Sequence, residues 1–297
     1  MESIPKVSES FRYPLRIPLP AYLYDHRIMG QPVLPAAQSL CLLADAVQEQ
    51  TGVPGQLSMY AQFERFLNLP EAADHLSVFA EICQERNGSI IASLLTKVRT
   101  KTSTFSRLKK HVQVCFLPLE HRPLPSSEIE QTASGPTFEL DPKVLYEELI
   151  PLGPAFRNCI SGPSLTPHGA FAKISAPTGY TSGGSLGSPF VFDAALHVAN
   201  AWAQRYAGIV AFPIGYDRRH ILSAAREGRD CLCRVSPVST DGPTLTFDIQ
   251  LTDRQGNLHE AIFGIEMRDL SAGRVKPPLW LLAQNTEVDA TARDENL

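Results

Sequence analysis

Two stretches of the chain carry an apolar helical pattern, each followed by a run of strand-like segments, and this repeated order constrains the fold more than any other feature. The first stretch, PAAQSLCLLADAVQEQTG, opens at Pro35 and closes at Gly52, residues that suit the start and stop of a helix. Leu40, Leu43 and Val47 give it an apolar stripe. After it, LSVFAEICQERNGSIIASLLTKVRT reads as two strands joined around Asn87-Gly88, a strong hairpin signal, and HVQVCFLPL from His111 reads as another strand. The second helical stretch, FVFDAALHVANAWAQRYAG, spans 190–208, and the strands CLCRVSPV, LTFDIQLTD and HEAIFGIEMRD follow it. TDGP and DRQGN separate those strands with the residues that tight turns need.

Between the halves, residues 120–142 are rich in Pro, Ser, Thr and Glu and lack apolar periodicity, as a linker between packed units does. The expected organisation is a tail over 1–9, a first unit over 10–119, the linker, a second unit over 143–275, and a tail over 276–297 that is disordered after Trp280. Identity between the halves is too low to count as a repeat, so the duplication is an inference from architecture. One helix plus antiparallel strands in each unit predicts an α+β fold whose sheet wraps a central helix, the arrangement called a hotdog, although other α+β folds fit the same pattern.

A chain of 297 residues buries a sizeable core, and a hydrophobic share of 43% with 20% charged residues excludes a disordered or fibrous class. The net charge of -4 argues against general nucleic-acid binding while leaving room for a local basic patch that meets an acidic protein partner. Six cysteines sit in apolar stretches without disulfide-framework or zinc spacing, and Cys231 and Cys233 share one face of a strand. Neither a signal segment nor a run of about twenty apolar residues is present, so no membrane span is expected and the expected location is cytoplasmic.

DHRIMGQPVLP sets His26, Gly30 and Pro35 at the spacing H-x3-G-x4-P. Pro35 fixes a helix start, Gly30 admits close approach to the backbone, and N–H groups near a helix start polarise a thioester carbonyl. An imidazole beside the carbonyl's α-carbon then removes a proton that the polarised carbonyl has made more acidic. The plainer reading places His26 in a surface turn and gives Gly30 only the chain reversal. SPFVFDAALHVANAW carries Asp193 near a helix start and His197 one turn later, on the same face. His197 can orient the Asp193 carboxyl, and Phe190, Val191 and Phe192 supply an apolar setting that raises a carboxyl pKa, against the helix N-terminus, which favours the carboxylate. The plainer reading makes Asp193 an ordinary first-turn acid.

These motifs resemble the dehydratase domains of modular polyketide synthases, whose pattern has H-x3-G-x4-P followed by D-A-A-L-Q/H. LGPAF, from Leu152 through Gly153 and Pro154 to Phe156, is similar to the family's Y-G-P-x-F, and AFPIGYDRRHI, with Phe212, to a later L-P-F segment. The resemblance spans residues 10 to 275. It implies a double hotdog whose two units form a pseudo-dimer, with His26 as base and Asp193 as acid across a shared acyl channel and His197 supporting the acid. The reaction implied is water loss from a 3-hydroxyacyl thioester, giving an α,β-unsaturated acyl thioester in polyketide or fatty-acid-like biosynthesis. It also implies an acyl carrier protein whose phosphopantetheine arm brings the substrate, other polyketide or fatty acid synthase components as partners, a homodimer in many members, and no metal or redox cofactor. Leu152 stands where the family has Tyr, which removes a hydroxyl near the channel. Arg218 and Arg219, with His220, are candidates for contact with the carrier, set against a plain solvated charge cluster.

GGSLG at 183–187 is a literal G-x-S-x-G, yet the turn-rich SAPTGYTSG before it is not the buried strand that a nucleophile elbow needs. A mobile loop at the channel mouth accounts for it. Within the same fold a His/Asp pair also shifts double bonds, closes pyran rings or guides aldol cyclisation, and a non-catalytic acyl-binding unit is a further alternative. The retained Asp193 favours dehydration, because proton donation to a leaving hydroxyl needs an acid.

Overall fold

A computed structural model describes residues 10–71, 73–99, 106–118, 136–180 and 184–283. In the first half, helix α1 (Ala36–Thr51) starts behind Pro35 and stops at Gly52, whose φ of 75° is left-handed and whose N–H bonds to the Gln48 carbonyl. The strands are β1 (Ser10–Pro18), β2 (Arg27–Ile28), β3 (Gln31–Leu34), β4 (Leu57–Phe63), β5 (Leu67–Asn68), β6 (His75–Gln84), β7 (Ile90–Arg99) and β8 (Ser106–Phe116). Leu40, Leu43 and Val47 of α1 are fully buried. The β6–β7 hairpin turns at Asn87, whose Oδ1 accepts from the Ser89 N–H, and at Gly88, with φ of 82°.

The second half begins inside the expected linker. Residues 119–135 lie outside the described residues, but β9 (Phe138–Glu139) already pairs with β10 (Cys159–Thr166). Asp141 then caps the short helix α2 (Pro142–Val144) by accepting from the Lys143 N–H at 2.6 Å. There follow β11 (Gly169–Ser175), helix α3 (Pro189–Trp202), β12 (Phe212–Ile221), β13 (Asp230–Ser239), β14 (Thr244–Thr252) and β15 (Leu258–Arg268). All residues of α3 are buried, which is what an apolar helix surrounded by a sheet requires. Part of the expected C-terminal tail also packs. Helix α4 (Leu279–Ala283) buries Leu281, whose carbonyl accepts from Arg205 at 2.9 Å. The expected tails over 1–9 and beyond 283 lie outside the described residues.

The two halves share one antiparallel sheet in the order β1-β6-β7-β8-β4-β12-β15-β14-β13-β11-β10-β9, and β2, β3 and β5 make a small second sheet. Helix α1 packs on β6, β7 and β8, helix α3 on β10, β11 and β13, and the two helices touch. Strand β4 meets β12 at the seam, pairing Ala61 with Tyr216 and Ser58 with Arg219. Polar groups lie buried beside it. Ser58 and Tyr216 hydroxyls are 2.7 Å apart, and the Arg219 guanidinium pairs with Glu260 at 2.7 Å while lying 4.4 Å over the Phe192 ring.

Because Arg219 and Glu260 are both almost wholly buried, removing one partner leaves the other charge uncompensated. Glu260→Ala is expected to cost about 3–5 kcal/mol of unfolding free energy in urea titrations. A loss of less than about 1 kcal/mol, the range of surface ion pairs, would show that the guanidinium finds water or another partner.

Candidate active site

His26 lies between a 3-10 turn (Ala21–Asp25) and the β2–β3 hairpin. Met29 and Gly30, at the tip, have φ of 50° and 79°, a combination that reverses a chain in two residues and matches strand twist. A β-carbon at Gly30 would meet nothing within 4 Å, so the glycine is required here by its backbone angle. The reversal brings Val33 back onto His26. The Val33 N–H donates to the His26 carbonyl at 3.0 Å, and the His26 Nδ1 lies 3.0 Å from the Val33 carbonyl. A carbonyl only accepts, so Nδ1 carries the proton and Nε2 is left with its lone pair. Pro35 ends this hairpin and precedes the first turn of α1.

Helix α3 supplies the opposing groups. The His26 Nε2 faces Asp193 Oδ1 at 3.6 Å, and Asp193 Oδ2 is 3.1 Å from His197 Nε2 one turn along. All three side chains are buried. Behind His197, its Nδ1 lies 3.3 Å from the Tyr146 hydroxyl, which in turn accepts from the Cys159 N–H at 2.9 Å.

Burial pushes the His26 pKa below its usual value, only partly offset by the Asp193 carboxylate. Burial also works to raise Asp193, but the charge and hydrogen bonding of His197, and then His26, outweigh it and hold the carboxyl below its ordinary value. Burial opposes charge on His197 too, yet Asp193 lifts it to about 9. At neutral pH the site therefore holds a neutral His26, a charged His197 and an Asp193 carboxylate. The sequence sets two opposed influences on Asp193, the apolar Phe190, Val191 and Phe192 raising its pKa and the helix start lowering it, and the net direction is downward. Those residues are buried as expected, but the cation at i+4 dominates over a few ångströms of apolar wall.

These groups open on a cleft of about 470 Å³ whose wall is largely apolar and includes Leu152 and Phe212 with Phe63, Phe66 and Leu196. Gly30 also lines it. Gly153, Pro154 and Phe156, expected in the channel wall, stand behind it. The Phe156 ring meets the His26 ring edge to face at 5.1 Å, and Gly153 packs against Asp25.

Residues 126–277 match the profile of a family described as the polyketide synthase dehydratase N-terminal domain. The chain belongs to the polyketide synthase dehydratase family. The match spans just over half of the chain and includes Asp193 and His197, while His26 precedes it. No curated protein matches the chain. Among solved structures, it is similar to the dehydratase domain of a mycocerosic acid synthase-like polyketide synthase, with TM-score 0.70 and 19% identity over 91% of this chain and 94% of that one. It is also similar to the dehydratase domain of RzxB from Pseudomonas fluorescens, with TM-score 0.69 and 17% identity over 87% and 94%. A bifunctional dehydratase-cyclase domain in ambruticin biosynthesis gives TM-score 0.66 and 19% identity over 88% and 92%. Those likenesses show the double hotdog fold.

Arg219 is buried in its ion pair, and His220 is buried with its ring 6.5 Å from that of Phe263, so neither is exposed for the contact expected of them. Arg218 is half-buried with its guanidinium 4.8 Å over Phe263, about 20 Å along β12 from Phe212 at the strand's rise per residue. Two arginines do line the cleft, Arg27 and Arg65, both exposed. Of GGSLG, Gly183 lies outside the described residues. The Ser185 N–H and hydroxyl both donate to Asp45 Oδ1, at 3.2 and 3.4 Å, and that stretch does not line the cleft. Tyr146 and Asp25 escaped sequence reasoning, since Tyr146 stands 51 residues before His197 and no local pattern marks either.

Two imidazoles on one carboxylate thus differ in charge. Histidine nitrogen NMR at neutral pH should find His26 neutral with its proton on Nδ1 and His197 doubly protonated; His26 protonated on Nε2 would contradict the Val33 contact.

Proposed function

We propose that this chain eliminates water from a 3-hydroxyacyl thioester to give an α,β-unsaturated acyl thioester. The observation that carries the reading is the pairing of an unprotonated His26 Nε2 and the Asp193 carboxyl, 3.6 Å apart and contributed by different halves, at the wall of one apolar cleft. A base must take a proton from Cα while an acid serves the hydroxyl on Cβ, and these two groups face the same small volume.

In the proposed step His26 Nε2 takes the α-proton and the electron pair of that bond becomes the new carbon–carbon double bond. The Cβ–O bond breaks, and the departing hydroxyl leaves as water with a proton delivered by Asp193. Since the carboxyl is held ionised, that proton comes from the Asp193–His197 pair, which shares it across 3.1 Å. His26, now protonated, returns its proton to the pair. Helix α1 starts at the cleft with Ala36, and Pro35 offers no side-chain cap. Its first N–H groups are therefore available to the thioester oxygen as charge develops.

The substrate is proposed to arrive on the phosphopantetheine arm of an acyl carrier protein, itself part of a polyketide synthase assembly. Arg27 and Arg65 take over the contact first expected at Arg218 and Arg219, because an exposed guanidinium beside the cleft can reach a phosphate or an acidic surface. No redox cofactor takes part in the balance above. The free cysteines support a reducing cytoplasmic setting.

The deciding experiment follows loss of water by intact mass, with a short 3-hydroxyacyl thioester on a carrier protein and on a pantetheine mimic lacking the phosphate. His26→Ala and Asp193→Asn should each lower the rate by at least about 100-fold. An unchanged substrate with wild-type protein, or a shifted double bond or closed ring without water loss, would replace dehydration by acyl binding, isomerisation or cyclisation.

The rate should follow a bell in pH. Its acid limb reports protonation of His26 and lies below 6.5, and its alkaline limb reports loss of the shared proton near 9. In His197→Gln the alkaline limb should move down, as the pair's raised pKa is gone; an unmoved limb would remove His197 from the proton path. The double variant Arg27→Ala/Arg65→Ala should raise KM for the carrier-bound substrate and leave the phosphate-free mimic unaffected. Equal effects on both would assign the arginines to the fold instead.

A further inference from the structure

Asp25, the residue before His26, ties the first half of the chain to the second. Its backbone carbonyl accepts from the Gly153 N–H at 2.8 Å, and its carboxylate Oδ2 accepts from the Ala155 N–H at 3.0 Å. The fit leaves no room for a side chain on the partner loop, because a β-carbon at Gly153 would fall inside the Asp25 carboxylate. One residue past Ala155, Phe156 lays its ring edge to face on His26 at 5.1 Å and packs on Phe190 of α3 at 5.1 Å. The loop thus touches both the base and the helix that carries Asp193.

Val33 anchors the His26 ring at Nδ1 from within the first half, whereas Asp193 belongs to the second. The separation of Nε2 and the carboxylate consequently depends on how the two halves are held together at this point. We propose that Asp25 is the positioning residue for His26: through its two bonds to the Gly153–Ala155 backbone it locks the 152–156 loop, and with it the Phe156 ring, against the base. Asp25 reaches His26 through one peptide unit and one packed ring, without touching the reacting atoms. This deepens the dehydratase reading and rests on it for the kinetic test, while the spectroscopic test depends on the geometry alone.

The test compares the full chain with Asp25→Ala, Asp25→Asn and Gly153→Ala, measuring kcat and KM for dehydration together with histidine ring NMR and thermal unfolding. Asp25→Ala should lower kcat about 10–100-fold, the effect of a small misplacement of a reacting group, with KM little changed. Its His26 signal should shift or broaden while that of His259, on β15 away from the cleft and 3.5 Å from Asp253, stays in place. Asn keeps an acceptor oxygen for the Ala155 N–H and should recover most of kcat, whereas Gly153→Ala should resemble Asp25→Ala. If Asp25→Ala fails to fold, the contrast between Asp25→Asn and Gly153→Ala decides. Wild-type kcat with an unmoved His26 signal in both Asp25→Ala and Gly153→Ala overturns the proposal, as does an Asn variant no better than Ala. If the wild type dehydrates nothing but the His26 signal still moves in Asp25→Ala and Gly153→Ala, the dehydratase reading fails and the brace stands.

Discussion

The site depends on the contact between Asp193 and His197. A carboxylate with almost no solvent exposure, on a helix buried along its whole length, has lost the water that stabilises its charge, and an isolated one would take up a proton instead. His197, one turn away at 3.1 Å, supplies the compensating cation. That cation is itself buried and needs support, and the Tyr146 oxygen, fixed by the Cys159 N–H, lies where a charged Nδ1–H can donate to it. From His26 to Cys159 the buried polar groups thus stand in one line, and the link at Asp193 is held by the charge of His197 rather than by a hydrogen bond at every step.

The same chain separates the chemical roles. His26 and His197 are the same residue type at similar burial and within reach of one carboxylate, yet one is pushed down and the other up to about 9. The difference is geometric. His197 has the closer contact to Asp193, 3.1 Å against 3.6 Å, with the Cys159 thiol adding to the rise, whereas His26 spends its Nδ1 proton on the neutral Val33 carbonyl. A neutral base and a proton-bearing pair side by side are what an elimination needs.

Much of this was legible in the sequence because it is local. The limits of α1 follow from Pro35 and Gly52, the same-face relation of Asp193 and His197 follows from helical spacing, and the hairpin at Asn87-Gly88 from turn chemistry. What escaped depends on distance along the chain. No local pattern tells that Arg219 points under the sheet to Glu260, that Tyr146 reaches His197, or that Gly153 docks on Asp25, each pairing being set by sheet register and loop packing over tens of residues. The direction of the Asp193 shift is open in the sequence for a related reason. The apolar neighbours were visible in the sequence, but weighing them against His197 required the 3.1 Å separation.

Stability and proton supply are coupled through one pair. His197 is raised on folding, so its contribution to stability is fully present below the unfolded value near 6.5 and is lost as pH rises through about 9. Asp193 is lowered, so its contribution is present above the unfolded carboxyl value and is lost as pH falls through the folded one. His26 has the opposite sense to His197: its burial favours the neutral form, and the fold gains as pH rises past its lowered pKa. Between the His26 and His197 limits, all three groups hold the charge states that both folding and the proposed elimination require. A substitution that lowers the His197 pKa would narrow that window from above for stability and, in the proposed elimination, for turnover as well, because there the proton that balances the buried carboxylate is also the one given to the leaving hydroxyl.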